Sequence, residues 1–389
     1  MNDKQAKHRD VSRVLATEIL AGKFAKTGRL PSELQLAERF KVSRPTIGRA
    51  LLALQDEGLI ERRAGSGTYV SDSRAGGIGG GAPRRPQAGA RQLGMLVPNL
   101  RHTEIFETIC GELADLARVH DLGLWWGDQG LSRNLSEPRM SVTDAEELCE
   151  RFIESGLAGV FAVPFEHQAD RDEANLRILT RLRQAGIPIV LLDRDAVGLP
   201  RRSEFDLVGV DNFSGGYRLA AHLIKLGVKR LVYVAKPFTA STVDMRIAGA
   251  QSAMLAQGIE VPRDFVRIGD PLDQKFVRTI VQSGRIEAIM CTSDHIAAQL
   301  LQTLNRLRIK VPDDVRLVGF DDVRFANLLT IPLTTMQQPC RDIALTAFNC
   351  MLERIANPSL PPRNIMLSPQ MIVRETCGAY QGPTRSGNK

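Results

Sequence analysis

The stretch SELQLAERFKVSRPTIGRALLALQDEGLIERRAGSGTYV (32–70) decides how the front of this chain folds. Ser32 precedes ELQLAERF, with Leu34, Leu36, Ala37 and Phe40 apolar, and Gln35 stands three residues after Ser32. A hydroxyl answered by an amide three positions on is the capping box that opens a helix. Three residues after Phe40, Ser43 can cap a further helix, RPTIGRALLALQDEG (44–58), with Pro45 in its first turn where a missing N–H costs little. Ile47, Ala50, Leu51 and Leu54 recur at helical spacing and form its buried stripe. LIERRAGSGTYV (59–70) then reads as two short strands around a tip at Ala64 to Gly67.

Upstream, VSRVLATEILAG (11–22) places Val11, Val14, Leu15, Glu18 and Ile19 at helical spacing, with Gly22 as a stop. Three helices and a hairpin make a winged helix-turn-helix, mainly α with a β wing, over 1–72. Downstream, SDSRAGGIGGGAPRRPQAGARQ (71–92) replaces large apolar residues, save one Ile, with Gly, Ala, Pro, Ser and Arg. That composition predicts a flexible linker over 73–91. Its glycines follow no buried strand and open no amphipathic helix, so they do not read as a phosphate-cradling loop.

From 92 to 380, apolar strand-like runs alternate with amphipathic helices. The runs are LGMLVP (93–98), LGLWWG (122–127), AGVFAVP (158–164), IPIVLLD (187–193), DLVGVD (206–211), RLVYVA (230–235), AIMCTSD (288–294) and RLVGFDD (316–322). This is the rhythm of parallel sheets covered by helices, an α/β body. Trp125 and Trp126 follow a strand and read as core packing ahead of a cleft role.

The 389 residues carry a net charge of +7, and it is unevenly placed. Residues 1–74 hold 14 Lys and Arg against 9 Asp and Glu, the linker adds Arg84, Arg85 and Arg91, and the remainder is near neutral. A basic head on a neutral body suits a polyanion such as nucleic acid, although a charge run can also be a solvated face. No apolar run approaches the roughly 20 residues that cross a bilayer, and MNDKQAKHRD lacks the apolar stretch of a secretion signal, so a cytoplasmic location is expected. The six cysteines form no CxxC, and the six histidines show no HExxH and accompany no GxSxG. Neither a metal, a cofactor nor catalysis is expected.

RLPSE (29–33), LAERFKVSRPTI (36–47), ALLALQDEGLIERR (50–63) and GSGTYV (65–70) resemble, in order and spacing, the gluconate-repressor (GntR) family. VDNFSGGYRLAAHLIKLGVKR (210–230), TSDHIAAQLLQTL (292–304), VPDDVRLVGFDDVRFA (311–326), PLTTMQQP (332–339) and LSPQMIVRET (367–376) resemble the lactose-repressor (LacI) family, itself similar to periplasmic sugar-binding proteins. A head of the first kind on a body of the second is similar to the arabinose-repressor subgroup. The resemblance implies a homodimeric repressor of double-stranded operator DNA, tuned by a small effector, often a sugar. It implies a two-lobed periplasmic-binding-protein-like body, one lobe over about 92–209 and 339–367, the other over about 210–338 and 368–380. A non-sugar metabolite is the alternative effector; a carbohydrate-active enzyme or a sugar carrier is the alternative class.

A helix N-terminus offers free N–H groups and positive dipole, and Ser43, Arg44 and Thr46 occupy that end of the third helix. The resemblance makes them DNA contacts, Arg44 gripping guanine, with Arg49 beside them; the plain alternative is a cap and a solvated charge. At the wing, Arg62 and Arg63 supply charge and Gly65 a close backbone approach. Leu34 and Gly48 stand where the family usually carries Arg, which alters the expected grip on DNA.

In an α/β body, ligands sit beyond the carboxyl ends of strands. Asp193 closes IVLLD, Asp321 closes LVGFD, Ser293 follows AIMCT, and Arg246 lies in the segment STVDMR, read as a loop. Two carboxylates and a guanidinium can fork hydrogen bonds to vicinal hydroxyls. The resemblance puts Arg246, Asp321 and Asp193 on the effector, with Thr242 and Gln338 near them and Phe106 as an aromatic that stacks on it. The family usually has Asn where Ser293 stands. NLRHTEIF (99–106) offers Arg101, His102, Glu104 and Phe106 to the ligand, with His102 equally readable as an incidental loop residue. Asp321 and Asp322 could instead cap a helix or turn.

Overall fold

The computed structural model describes residues 92–98, 104–126, 140–166, 170–284 and 286–380, and in the head 30–43, 46–48, 60–63, 67–70 and positions 11, 12, 14, 15, 18, 23, 50, 51 and 54. Two compact units emerge, Met1–Pro86 and Gln87–Lys389. The linker expected over 73–91 lies outside the described residues.

In the first unit, helix α1 spans Glu33–Phe40 and begins with the expected capping box: Ser32 Oγ accepts from the Gln35 N–H and the Ser32 N–H donates to Gln35 Oε1 at 2.9 Å. The described positions 11, 12, 14, 15 and 18 before it, and 46–48, 50, 51 and 54 after it, are helical. Strands β1 (Ile60–Arg63) and β2 (Gly67–Val70) pair antiparallel, with Ile60 opposite Val70 and Arg63 opposite Gly67. Val11, Leu15, Leu30, Leu36, Ile47, Ala50, Leu51, Leu54 and Ile60 form one apolar core. Two residues of the expected stripes depart from it. Val14 and Leu34 are exposed, because each helix of so small a unit has room for only a narrow buried face. Arg39 of α1 pairs with Glu18 of the preceding helix, tying the two together.

The second unit carries two all-parallel sheets. One has the order β13-β7-β6-β5-β3-β4, from strands β3 (Gln92–Leu96), β4 (Gly123–Trp126), β5 (Gly159–Ala162), β6 (Ile189–Leu192), β7 (Asp206–Val210) and β13 (Asn364–Leu367). The other has the order β11-β10-β8-β9, from β8 (Leu231–Ala235), β9 (Val266–Ile268), β10 (Ala288–Cys291) and β11 (Arg316–Val318). Buried strands such as IVLL (189–192) and LVYVA (231–235) are apolar on both faces, as a sheet covered by helices requires. Helices α2 (Glu104–Val119), α3 (Val142–Glu154), α4 (Arg171–Gln184) and α9 (Cys340–Ala356) accompany the first sheet. Helices α5 (Asn212–Lys225), α6 (Ser241–Ala256), α7 (Gln274–Gln282) and α8 (Asp294–Arg306) accompany the second. A small antiparallel pair, β12 (Thr335–Gln337) with β14 (Gln370–Ile372), lies where the chain passes between the lobes.

The contact between α5 and α6 depends on two glycines. A Cβ on Gly216 would lie 2.0 Å from the Arg246 carbonyl oxygen, and one on Gly249 would lie 2.1 Å from that of Phe213. Only hydrogens fit, so the helix backbones touch and α6 is held at a fixed height over the sheet. Trp125 stacks edge-on against Phe152 at 5.5 Å and Trp126 packs against the main core. Neither lines the cleft described below.

Candidate functional site

Phe106, Asp193, Thr242, Arg246, Ser293, Asp321 and Gln338 all line one cavity of about 280 Å³ beyond the carboxyl ends of the strands. Asp193 follows β6 and Phe106 sits in the first turn of α2, both in the first lobe. The others come from the second lobe and the crossover segment.

Arg246 requires a correction. It sits on helix α6, not in a loop, since nothing in STVDMR breaks a helix and the turn begins at Ser241. It is buried, its Nε donating to Asn212 Oδ1 at 2.7 Å and its Nη1 to the Thr292 carbonyl at 2.6 Å, while the guanidinium lies 3.7 Å over the Phe320 ring. Two bonds and a stacked face leave the remaining N–H groups in one orientation.

Asp321 accepts from Gln338 Nε2 at 2.8 Å. Burial pushes its carboxyl up to about 7; Arg246 and the Gln338 bond pull the other way, and Asp193 and Glu166 across the cleft add to the rise. The backbone here is strained: φ is 121° at Asp321, 57° at Asp322 and 68° at Asp193. Left-handed geometry outside glycine costs on the order of 1–3 kcal/mol and persists where neighbours enforce it. The enforcing bonds are Asp321 N–H to the Met336 carbonyl at 2.8 Å and Asp193 N–H to that of Val208 at 2.9 Å. Asp322 turns away, accepting from Arg374 at 2.7 Å and Gln337 at 2.8 Å, so it braces the crossover segment rather than capping a turn. Ser293 caps α8, its Oγ accepting from the Ile296 N–H at 3.4 Å.

Four ionisable residues that the sequence does not single out also line the cavity: Glu166, Arg194, Lys236 and His295. Arg194 is buried, pairs with Glu166 at 2.5 Å and Asp193 at 3.0 Å, and lies 5.6 Å over the Phe106 ring. Those two carboxylates raise its guanidinium's pKa against the opposing effect of burial. Glu166 follows β5 and Lys236 follows β8, so both stand beyond the carboxyl edge of a parallel sheet, which is the signal for them in the sequence. Among the described residues no His, Cys, Asp or Glu group is arranged to hold a metal. No described helix is long and apolar enough to cross a membrane.

In the head, Ser43 is exposed, its hydroxyl 2.8 Å from that of Thr46, and its carbonyl accepts from the Thr46 and Ile47 N–H groups. Arg62 and Arg63 are backbone positions of β1 opposite Thr68 and Gly67. Arg44, Arg49 and Gly65, and in the body Arg101 and His102, lie outside the described residues.

Residues 7–70 match the bacterial regulatory proteins of the gntR family, and residues 220–377 match a periplasmic binding protein-like domain. The chain joins a head that matches the gntR family to a body that matches a periplasmic binding protein-like domain. The arabinose metabolism transcriptional repressor of Geobacillus stearothermophilus is 23% identical over 380 residues, 95% of this chain and 97% of that protein. The transcriptional repressor PurR of Escherichia coli O1:K1 is 33% identical over 204 residues, 51% of this chain and 58% of PurR. Among solved structures, a complex of the regulator CelR with cellobiose superposes with a TM-score of 0.61 at 19% identity, covering 89% of this chain and all of that one. At that identity the likeness is one of fold.

Proposed function

We propose that this chain is a ligand-responsive transcription repressor: the head binds double-stranded operator DNA, and a small carbohydrate held in the cleft sets its affinity. The convergence of Asp193, Arg246 and Asp321 on one cavity carries the effector half of the reading. Fixed acceptors and a fixed fork of donors suit vicinal hydroxyls, whose O–H groups donate to carboxylates while their oxygens accept from guanidinium. The cellobiose complex of CelR and the naming of the aligned relatives as repressors support the same reading. The head reads DNA through Ser43, Arg44 and Thr46, while Arg49, Arg62, Arg63 and Gly65 position it on the phosphates. The chain works as a homodimer, so that two heads meet two half-sites.

Two measurements test this. Arg44→Ala is expected to lower affinity for a selected operator at least tenfold in a gel-shift titration, since a bidentate guanine contact is worth about 1–3 kcal/mol; unchanged affinity sinks the assignment. A thermal-shift screen of neutral, acidic and phosphorylated sugars should raise the unfolding temperature of the body for at least one compound. Silence across all three classes contradicts a carbohydrate effector.

A further inference from the structure

The second-lobe wall of the cleft is polarised in a way that a neutral sugar does not use. Lys236, directly after β8, and His295, in the first turn of α8, line the same cavity. Burial first, and then the Lys236 charge, holds the His295 imidazole below its ordinary value, and its Nε2 lies 3.1 Å from Gln299 Nε2. Among the described residues no carboxylate pairs with Lys236. The acids of the cavity are committed elsewhere: Glu166 and Asp193 to Arg194, and Asp321 to Gln338.

Two helices also begin at this wall. The first turn of α6 contributes Thr242, and Ala240, at its N-cap, gives no side-chain cap. Helix α8 begins beside it, at Ser293. The Lys236 ammonium, beside positive helix ends, favours an anion in this part of the cavity.

We propose that the effector carries an oxyanion, a phosphate or carboxylate, at the end of the cleft formed by Lys236 and His295, and its vicinal hydroxyls at the end formed by Asp193, Arg246 and Asp321. This rests on the carbohydrate-effector reading and narrows it. The anion accepts from Lys236 Nζ and from the imidazole, which takes up a proton as the anion arrives.

The test is calorimetric titration of the full chain with matched compounds: glucose, glucose 6-phosphate and glucuronate; ribose and ribose 5-phosphate; and inorganic phosphate. The expected result is that, in at least one series, an anionic member binds about 10- to 100-fold more tightly than its neutral parent. The gap should narrow with added salt and fall about tenfold or more in Lys236→Met, and Lys236→Arg should restore it. A better phosphate than uronate identifies a sugar phosphate, and the reverse a sugar acid. Neutral sugars binding as tightly as their anionic partners, or a gap indifferent to Lys236→Met, overturns the inference and leaves the carbohydrate reading standing. No binding by any sugar overturns both.

Discussion

At the residue scale, the cleft turns on a carboxyl that is costly to ionise. Burial, outweighing Arg246 and Gln338, pushes the Asp321 carboxyl up to about 7 in the folded chain, well above its ordinary value of 3.8. A folded-state pKa raised in this way means that the protonated form is favoured by folding. The contribution to stability is therefore full below the unfolded value and is lost as pH rises through the folded one. A sugar hydroxyl needs the ionised form as its acceptor, so binding of an uncharged ligand releases a proton. Affinity for such a ligand is expected to climb between about pH 6 and about pH 8, by at most about tenfold per unit, and to lose that slope in Asp321→Asn. Titrations across that range check it; an identical slope in both proteins contradicts it.

The strand-end rule makes Asp193, Ser293 and Asp321 readable from sequence, because parallel strands all deliver their last residues to one edge. Arg246 was readable as a residue but not as a helical one. Its helix is apolar on several sides, and Gly249 sits where a helix former is expected, for a packing reason visible only once α5 is in place.

At the scale of elements, two glycines in helices play opposite parts. Gly216 lets α5 touch the backbone of α6 at the carbonyl of Arg246 itself. Gly216→Ala should cost about 1–3 kcal/mol in chemical denaturation and also weaken ligand binding, because the shift it forces is delivered to Arg246. Stability lost with ligand affinity intact would detach α5 from the site. Gly48, by contrast, has open space where a side chain would lie. Gly48→Ala should raise head stability by up to about 1 kcal/mol, and Gly48→Arg should tighten DNA binding and steepen its salt dependence. A salt slope unchanged in Gly48→Arg would place that face of the third helix away from phosphate.

The head's helices were legible from Ser32, Gln35 and the stripe Ile47, Ala50, Leu51 and Leu54, each a local signal. Strands β9, β12, β13 and β14 were not read as strands. They are three or four residues long, and β9, β13 and β14 are partly exposed, so neither an apolar run nor a clean alternation marks them. Their pairing is fixed by the two-lobe topology instead.

At the scale of the whole molecule, the lobes of the second unit are bridged at the cleft mouth by polar contacts. Arg171 of α4 donates to the Phe238 and Thr239 carbonyls at 2.9 and 2.5 Å, and the Arg324 N–H donates to Glu104 Oε2 at 2.7 Å. Contacts of this kind are made and broken as lobes close on a ligand, which gives the ligand a difference between two states to act on. The central claim is that this difference reaches the DNA-binding head. Its most direct test is the operator affinity of the full chain, by fluorescence anisotropy, with and without a saturating cleft ligand. The expected coupling of about 1–3 kcal/mol changes that affinity about 5- to 150-fold in the native protein and by much less in Asp321→Asn. A ligand that occupies the cleft and leaves operator affinity unchanged would contradict the account.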